Sequence, residues 1–199
     1  MPELVGLQIA DPPERWEALG FSVLDGVCEV GGVRLHLGGE GRGITAWHVD
    51  GLDHELPGLP SFTSSGLSAS PAHANGAIGI DHVVVVTRTF DHTAEALGRV
   101  GLELRRIRDA GGFRQGFRRI GPSILEVVEA RGAPPGPPRF WGLVVVVSDL
   151  NALTAQLGER VGDIHDAVQS GRHIATLRAA AGLGTKVAFM DPEAGATLA

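Results

Sequence analysis

This chain of 199 residues is 43% hydrophobic and 20% charged, values typical of a soluble globular protein with one core or two small modules. Its formal net charge of −6 argues against nucleic-acid binding, which needs a basic surface. Cys28 is the single cysteine, the N-terminus lacks a signal-peptide pattern, and no apolar run approaches the ~20 residues of a membrane span, so we expect a cytoplasmic protein without a membrane partner.

Residues 1–52 have the pattern of a small β-rich module. The sequence predicts a strand at 4–10, then a short helix that Asp11 caps and Gly20 ends. The alternating glycines of 38–43 open no helix, so we interpret them as a hairpin turn and not as a phosphate loop. Glycine turns separate the remaining predicted strands, which lie near 21–23, 27–30, 33–37 and 44–49.

Residues 53–77 are rich in Pro, Ser, Gly and His and have no periodic hydrophobic pattern. We expect a linker that runs over the surface, because a segment of this length is too long for a simple connection between elements. His54 and His73 lie in it without the spacing of metal ligands. Both are therefore predicted to be solvated loop residues.

Residues 78–130 form the module around which the chain is organised. Its first strand contains His82 within a valine-rich run, and its last strand, Ser-Ile-Leu-Glu-Val-Val-Glu, contains Glu126. Because strand side chains alternate between faces, pairing of the two strands would project this imidazole and this carboxylate into one concave space. Such a pair could hold a metal or move a proton, or it could be two polar residues at strand ends. Between the two strands the sequence predicts a helix capped by Asp91 and strands at 102–107 and 112–120.

A proline-rich connector at 131–139 leads to residues 140–192, where the same pattern begins again. A second valine-rich strand precedes a helix that Asp149 caps, with leucines on one side. Three further strands are predicted near 163–168, 172–177 and 185–190.

The two modules align with each other along the chain. Aligning the valine runs sets Leu143 opposite His82, an offset of 61 residues. Aligning the last strands sets Ala188 opposite Glu126, an offset of 62 residues. The agreement of the two offsets predicts a structural duplication, of which residues 1–52 are a shorter and poorer copy.

Paired β-α-β-β-β modules, a histidine in the first strand and an Ile-Leu-Glu-Val-Val last strand resemble the glyoxalase/bleomycin-resistance/extradiol-dioxygenase superfamily, also called vicinal oxygen chelate proteins. The resemblance covers 78–192 well and 4–52 loosely. It implies an α+β fold in which each module curls a half-barrel sheet and two modules enclose a cavity. Residues 1–52, the first module in chain order, would then be a degenerate third copy of the unit, and residues 140–192 are the third module in chain order. Because a half-barrel alone leaves an apolar concave face exposed, we expect a homodimer.

The resemblance also implies ligand positions. Metal-dependent relatives place His or Gln on the first strand and Glu on the last strand of each module, and their metal acts as a Lewis acid. His82 and Glu126 match two of the four positions, whereas Leu143 and Ala188 match the others and cannot ligate. The nearest counterparts in the first module, Gln8 and Ala46 or Trp47, do not restore a set. We expect no tightly bound cofactor and at most a weakly held divalent metal at His82 and Glu126.

The remaining candidate pocket residues come from the neighbouring strands. Side chains 115, 117 and 119 share one face of their strand, and Arg114 and Arg118 share the other; alternation does not decide which face lines the cavity. His173 lies in the matching strand of the last module, and Trp141 at the start of that module's first strand, where core or rim is the commoner place for a tryptophan. The predicted pocket set is Gln115, Phe117, Arg119, Trp141 and His173.

Two functions follow from this pattern. The first is a glyoxalase-like lyase or isomerase in which Glu126 is the general base and His82 assists, acting on a small oxygenated metabolite with an incomplete metal site. The second is a non-catalytic protein that binds and sequesters an antibiotic or metabolite. Apolar Leu143 and Ala188 favour the second function or a metal-free form of the first.

Overall fold

The computed structural model describes residues 1–52, 54–64, 72–109, 111–132 and 135–193. No helix in these ranges is long and apolar enough to cross a membrane. The elements follow the chain in this order: β1 (Glu3–Ile9), α1 (Pro13–Glu17), β2 (Val27–Val30), β3 (Val33–His36), β4 (Ile44–Asp50), β5 (Ala77–Thr87), α2 (Phe90–Arg99), β6 (Arg106–Asp109), β7 (Arg114–Ile120), β8 (Ser123–Glu129), β9 (Arg139–Val147), α3 (Leu150–Leu157), β10 (His165–Asp166), β11 (His173–Thr176) and β12 (Lys186–Met190).

Two β-α-β-β-β modules share one eight-stranded sheet. Its strand order is β10-β11-β12-β9-β5-β8-β7-β6, so the first strands of the two modules lie at the centre. There β5 and β9 pair antiparallel, while each pairs in parallel with the last strand of its own module, β8 or β12. The predicted α+β fold with two paired modules is confirmed.

Alternation along the central strands separates a core face from a second face. Val83 and Val85 of β5 are fully buried in the hydrophobic core, whereas His82 lies on the opposite face. The helices cover the core face, and Leu97 of α2 and Leu153 of α3 are each 1% exposed. Burial of this face against helices drives the assembly of both modules.

The predicted helix caps have different outcomes. Asp149 caps α3, since its Oδ1 accepts the amide hydrogen of Ala152 at 2.9 Å, as predicted. Asp91 is inside α2, whose N-cap residue is Thr89, and its carboxylate pairs with Arg114 at 2.6 Å. The strand predicted at 102–107 begins later, at Arg106, because the chain first buries Leu102 in the core after the helix.

The first module forms a separate sheet with the order β2-β3-β1-β4. The strand predicted at 21–23 does not form. Instead, the ring centroid of Phe21 lies 4.9 Å from that of Trp16 and 6.2 Å from that of Phe189 on β12. The contact with Phe189 joins this module to the common core. At the position of the predicted strand, the structure has an aromatic contact between two modules.

The last strand of the first module is β3, because β3 pairs in parallel with β1 as β8 does with β5. β4 pairs antiparallel with β1, as β9 does with β5. Ala46 and Trp47 lie on β4, so their assignment as counterparts of the last strand is wrong. The sequence placed them one strand too late because the outer strand expected at 21–23 is absent.

Asp11 does not cap α1, whose N-cap residue is Pro12. The buried carboxylate instead accepts the backbone N–H groups of Gly184 and Thr185, the second at 3.0 Å. Arg15 donates to the carbonyl of Gly182 in the same loop. An acid predicted to act locally therefore fastens the first module to the third.

The linker is not wholly superficial. His54 is exposed, as predicted, but the prediction that His73 is solvated is wrong, since it is 8% exposed. Its Nδ1 accepts the N–H of Ser22 at 3.0 Å, and its Nε2 donates to the carbonyl of Glu29 at 2.7 Å. Near its end, at His73, the linker packs against the first module, and two backbone groups satisfy the buried imidazole. Residues 65–71 of the predicted linker lie outside the described residues.

The open face of the first module's sheet is polar and covered. A Cβ at Gly6 of β1 would touch Phe62 and Ser64, because the segment before residue 65 lies across this face. Ser64 contacts His36 Nε2 through its hydroxyl at 2.8 Å and donates its N–H to His48 Nδ1 at 3.1 Å. The exposed apolar face assumed for a homodimer is therefore wrong, and the homodimer stays a prediction without that support.

Candidate functional site

A cavity of about 720 Å³ lies against the second face of the eight-stranded sheet. Arg106 of β6 and His165 of β10 both line it, although these strands are the two edges of the sheet. The sheet therefore curls around the cavity as the predicted half-barrel does. His82 and Glu126 lie in its wall.

Glu126 is held by a chain of two hydrogen bonds. Gln115 Nε2 donates to Glu126 Oε1 at 2.6 Å, and Arg108 Nε donates to Gln115 Oε1 at 2.6 Å. Burial raises the pKa of Glu126, and the nearby His82 and Arg108 and the hydrogen bond from Gln115 oppose that rise without cancelling it. A carboxyl group with a raised pKa exchanges protons more readily near neutral pH.

His82 is placed on the same face by strand register. In the parallel pairing of β5 with β8, His82 lies beside Ile124, two residues before Glu126, and side chains two apart share a face. The imidazole is 3% exposed, and its ring edge meets Phe117 at a centroid distance of 6.5 Å. Its Nε2 lies 3.5 Å from Gln169 Nε2, another residue of the cavity wall.

The carboxylate of Asp81 lies against the other ring nitrogen of His82. A register shift between Ile80 and His82 lets Asp81 lie out of the ladder with β9, and its Oδ2 is 2.5 Å from His82 Nδ1. Its Oδ1 is 2.7 Å from NH1 of Arg172, a residue of the third module. Burial alone would raise the pKa of Asp81, but His82 and Arg172 outweigh burial and hold that pKa below its usual value.

The sequence pattern singled out neither Arg172 nor Gln169. Arg172 is 7% exposed although it is charged. Its position next to His173 in a predicted strand carried no signal, because the ion pair joins two modules far apart in the sequence.

Arginines give one side of the cavity a positive character. Arg106, Arg108 and Arg119 line it, and the guanidinium of Arg108 lies 5.8 Å from the centre of the Phe117 ring. Arg105 also lines it and pairs with Glu103 at 2.8 Å. This side is suited to a carboxylate or another anionic group.

The strand β7 presents its predicted set to the cavity. Gln115, Phe117 and Arg119 are in the wall. Arg114 is on the other face, where it binds Glu129 at 3.1 Å in addition to Asp91. The structure thereby decides between the two faces that alternation left open.

Trp141 and His173 are outside the cavity wall, so the structure does not place these two predicted pocket residues in the site. Trp141 lies near the start of β9 and is 50% exposed. On β11 it is Ile174 that lines the cavity, and the adjacent His173 points away and contacts Asp191 at 2.7 Å. In a strand, neighbours face opposite sides, so a shift of one residue removes a side chain from the site.

The strand register also changes which residues of the third module correspond to His82 and Glu126. Leu143 is 2% exposed and belongs to the core face. Val144 pairs with His82 across the centre of the sheet and lines the cavity. In the parallel pairing of β5 with β8, His82 lies beside Ile124, and Glu126 is two residues further along β8. In the parallel pairing of β9 with β12, Val144 lies beside Ala188, and Met190 is two residues further along β12. Met190, and not Ala188, therefore corresponds to Glu126.

This correction leaves the third module without ligating groups at the two positions, since valine and methionine replace histidine and glutamate. Among the residues that the structure describes, no three or more His, Cys, Asp or Glu side chains are grouped to hold a metal ion. The donor set of His82 and Glu126 therefore does not fit a four-ligand metal centre.

No protein-family model and no curated protein matches the chain. Among solved structures, methylmalonyl-CoA epimerase from Mycobacterium tuberculosis is 17% identical over 59% of this chain and 90% of that chain, with a TM-score of 0.49. A Streptomyces coelicolor methylmalonyl-CoA epimerase variant in complex with 2-nitronate-propionyl-CoA is 19% identical over 62% and 99%, with a TM-score of 0.49. A hypothetical protein from Bacillus halodurans C-125 is 18% identical over 59% and 96%, with a TM-score of 0.47.

The topology itself decides the fold. Two β-α-β-β-β modules lie side by side, their first strands pair at the centre of one curled sheet, and a cavity lies within the curl. The chain has the vicinal oxygen chelate fold. In this vicinal oxygen chelate fold β5 and β8 supply His82 and Glu126 to the cavity, and the corresponding positions of β9 and β12 are the apolar Val144 and Met190.

Proposed function

We propose that the protein binds a small, anionic, oxygenated metabolite and catalyses proton transfer on it, as a glyoxalase-like isomerase or lyase. The observation that carries the proposal is the presence of His82 and Glu126 in one cavity wall, each held by its own partner. Residues that only complete a core do not need such partners at a cavity surface.

Glu126 is proposed as the general base. Gln115 occupies Oε1, and no hydrogen bond to Oε2 is present among the described residues. A carbon acid bound next to Oε2 would transfer its proton to that oxygen, and the electron pair of the broken C–H bond would move to the adjacent carbonyl oxygen as an enolate. Delivery of a proton to the opposite face of the same carbon by a second group, with loss of the Glu126 proton to solvent, then completes an isomerisation.

His82 is proposed as the second proton-transfer group. Its Nε2 faces the cavity, while Nδ1 faces Asp81. An imidazole in this orientation can accept a proton from the substrate or return one at a second atom. Arg108 lies near Glu126 and is suited to stabilise the negative charge of the enolate.

The cavity wall suggests the class of ligand. Its volume is within the ordinary range of small-molecule sites, roughly 300–1,000 Å³. Arg106 and Arg119 favour a carboxylate or similar anion, and Val144, Ile174 and Met190 favour an apolar body. A short-chain organic acid with an acidic C–H bond has both features.

The alternative is a binding protein without catalysis. It is favoured by the apolar side chains Val144, Ile174 and Met190 of the third module, which provide contact area at the positions that face His82 and Glu126. Under this alternative Glu126 and His82 would orient the ligand by hydrogen bonds and would transfer no proton.

Exchange of substrate hydrogen in D₂O separates the two functions. A panel of 2-oxo, 2-hydroxy and branched dicarboxylic acids is incubated with the protein, and loss of the C–H signal is followed by proton NMR. We expect exchange with at least one member, abolished in Glu126→Gln and retained in Glu95→Gln, a control that removes an exposed carboxylate of α2 away from the cavity wall. Ligands that stabilise the protein against heat yet show no exchange would support the binding protein instead.

We also propose that the protein works in the cytoplasm. Cys28 is the single cysteine, it is buried, and burial raises its pKa to about 12, so the thiol is poorly reactive. A chain with no disulfide to form has no need of an oxidising compartment.

A further inference from the structure

We infer that Asp81 and Arg172 are positioning residues that hold His82 in the tautomer with hydrogen on Nδ1, so that Nε2 presents its lone pair to the cavity. The inference rests on the proposed proton transfer for its functional meaning. Its structural content, the tautomer, is independent of that function and is measurable without a substrate.

The carboxylate of Asp81 beside Nδ1 favours one tautomer. Asp81 Oδ2 is 2.5 Å from His82 Nδ1, although the two atoms are not aligned as a hydrogen bond. A lone pair on Nδ1 would repel a carboxylate oxygen at this distance, so the hydrogen of a neutral imidazole belongs on Nδ1. The second nitrogen, Nε2, is then an acceptor. Gln169 places an amide nitrogen 3.5 Å from it, in keeping with a donor on that side.

Arg172 holds Asp81 in this role. NH1 of Arg172 is 2.7 Å from Asp81 Oδ1, and its Nε donates to the carbonyl of Asp191 at 2.8 Å, which fixes the guanidinium from a second side. The carboxylate is thus shared between a permanent cation and the imidazole. Because Oδ1 of Asp81 pairs with Arg172 and Oδ2 lies beside Nδ1, the carboxylate is placed to stabilise the imidazolium that forms when Nε2 takes a proton.

The same arginine links His82 to the turn that covers one side of the cavity. The N–H of Arg172 donates to the carbonyl of Gln169 at 3.2 Å, and its carbonyl accepts from Ala167 at 2.8 Å. Gln169 and Ala167 both line the cavity. Arg172 therefore closes the turn that presents Gln169 to Nε2 and also binds Asp81, the residue beside Nδ1. The two sides of the imidazole are positioned by the same arginine.

A buried ion pair is an inefficient way to gain stability, because desolvation of both charges opposes their attraction. The pair between Asp81 and Arg172 is almost fully buried, with side-chain exposures of 13% and 8%. Its position behind a cavity-lining imidazole gives it a second role. It joins the two modules and sets the orientation of a proton-transfer group.

The test is the tautomer of His82 measured by long-range proton–nitrogen NMR on histidine-labelled protein, in mildly alkaline buffer where free imidazoles are neutral. We expect Nδ1–H for His82 in the wild type. In Asp81→Asn the amide can donate to Nδ1, so we expect Nε2–H or a mixture. A wild-type Nε2–H tautomer, or one that Asp81→Asn leaves unchanged, would overturn the inference.

His73 provides an internal reference in the same spectrum. Its Nδ1 accepts from Ser22 and its Nε2 donates to Glu29, so its tautomer is the opposite one. It should stay Nε2–H in every variant that folds. Asp166→Asn, which removes an exposed carboxylate of the cavity wall, should leave both histidines unchanged. If Asp81→Asn does not fold, the wild-type assignment alone still decides, with Arg172→Lys as the second variant.

Activity provides a separate arm. With a substrate that exchanges in D₂O, Asp81→Asn should lower kcat by roughly 10²-fold, the usual contribution of an oriented acid–base group, with little change in KM. Failure of every panel acid to exchange, with the tautomers as expected, would reject the proposed function and keep the positioning role. Exchange at the wild-type rate in Asp81→Asn would reject the positioning role and keep the function of Glu126.

Discussion

The register of the C-terminal module predicts where a four-ligand metal site can be rebuilt. Val144 and Met190 occupy the places that correspond to His82 and Glu126. All four side chains line one cavity. We therefore expect the double variant Val144→His/Met190→Glu to bind Zn²⁺ or Ni²⁺ much more tightly than the wild type does.

The size of the effect follows from burial. Val144 is 8% exposed and Met190 is 3% exposed, so polar replacements without a metal should cost about 1–3 kcal/mol each in the free energy of unfolding. A metal at 100 times its dissociation constant returns about 2.7 kcal/mol. The metal-dependent gain in stability is therefore the quantity to measure, because the absolute stability reflects both effects.

Urea unfolding with and without metal, together with calorimetric titration, measures the gain. The control is Leu143→His/Ala188→Glu, the pair that the sequence alignment selects; Leu143 faces the core, so this variant should lose stability and gain no metal site. Tight binding by the control and none by Val144→His/Met190→Glu would refute the register argument. Val144→His alone adds a third ligand and serves if the double variant does not fold.

Three further results are expected. Elemental analysis of the purified wild type should find well below one equivalent of zinc, iron, nickel or manganese, because two protein ligands hold a metal weakly; near one equivalent that Glu126→Gln removes would contradict this. In urea unfolding at neutral pH, Glu126→Gln should be more stable than wild type, by about 1.4 kcal/mol if the raised pKa of Glu126 corresponds to a tenfold higher proton affinity in the folded protein, since the folded state disfavours the charge. That difference should shrink as the pH falls through the raised pKa and vanish below the ordinary value of 4.5; the same difference at every pH would show that the charge is not its cause. Gly116→Ala should destabilise by about 1–3 kcal/mol, because a Cβ would come 2.9 Å from Phe90 Cζ and closer still to Leu104, whereas the helical control Gly98→Ala meets nothing within 4 Å and should stabilise.

The sequence by itself determined the modules and their order. Valine runs, helix caps and glycine turns are local signals, and they predicted two β-α-β-β-β modules from residue 78 onward. Alternation placed Gln115, Phe117 and Arg119 on one face because the period of a strand is local too. The valine-rich pattern also placed His82 and Glu126 on two strands, β5 and β8, and these strands pair with each other in the structure.

Register and long-range partners were decided by the tertiary structure. A slip of one residue exchanges the two faces of a strand, so the alignment selected Leu143 where Val144 faces the cavity. The bulge that frees Asp81 and the arginine that binds it come from different modules, and no spacing in the sequence relates them. Such contacts depend on how the two modules pack together, whereas a sequence pattern records only which residues follow one another along a strand.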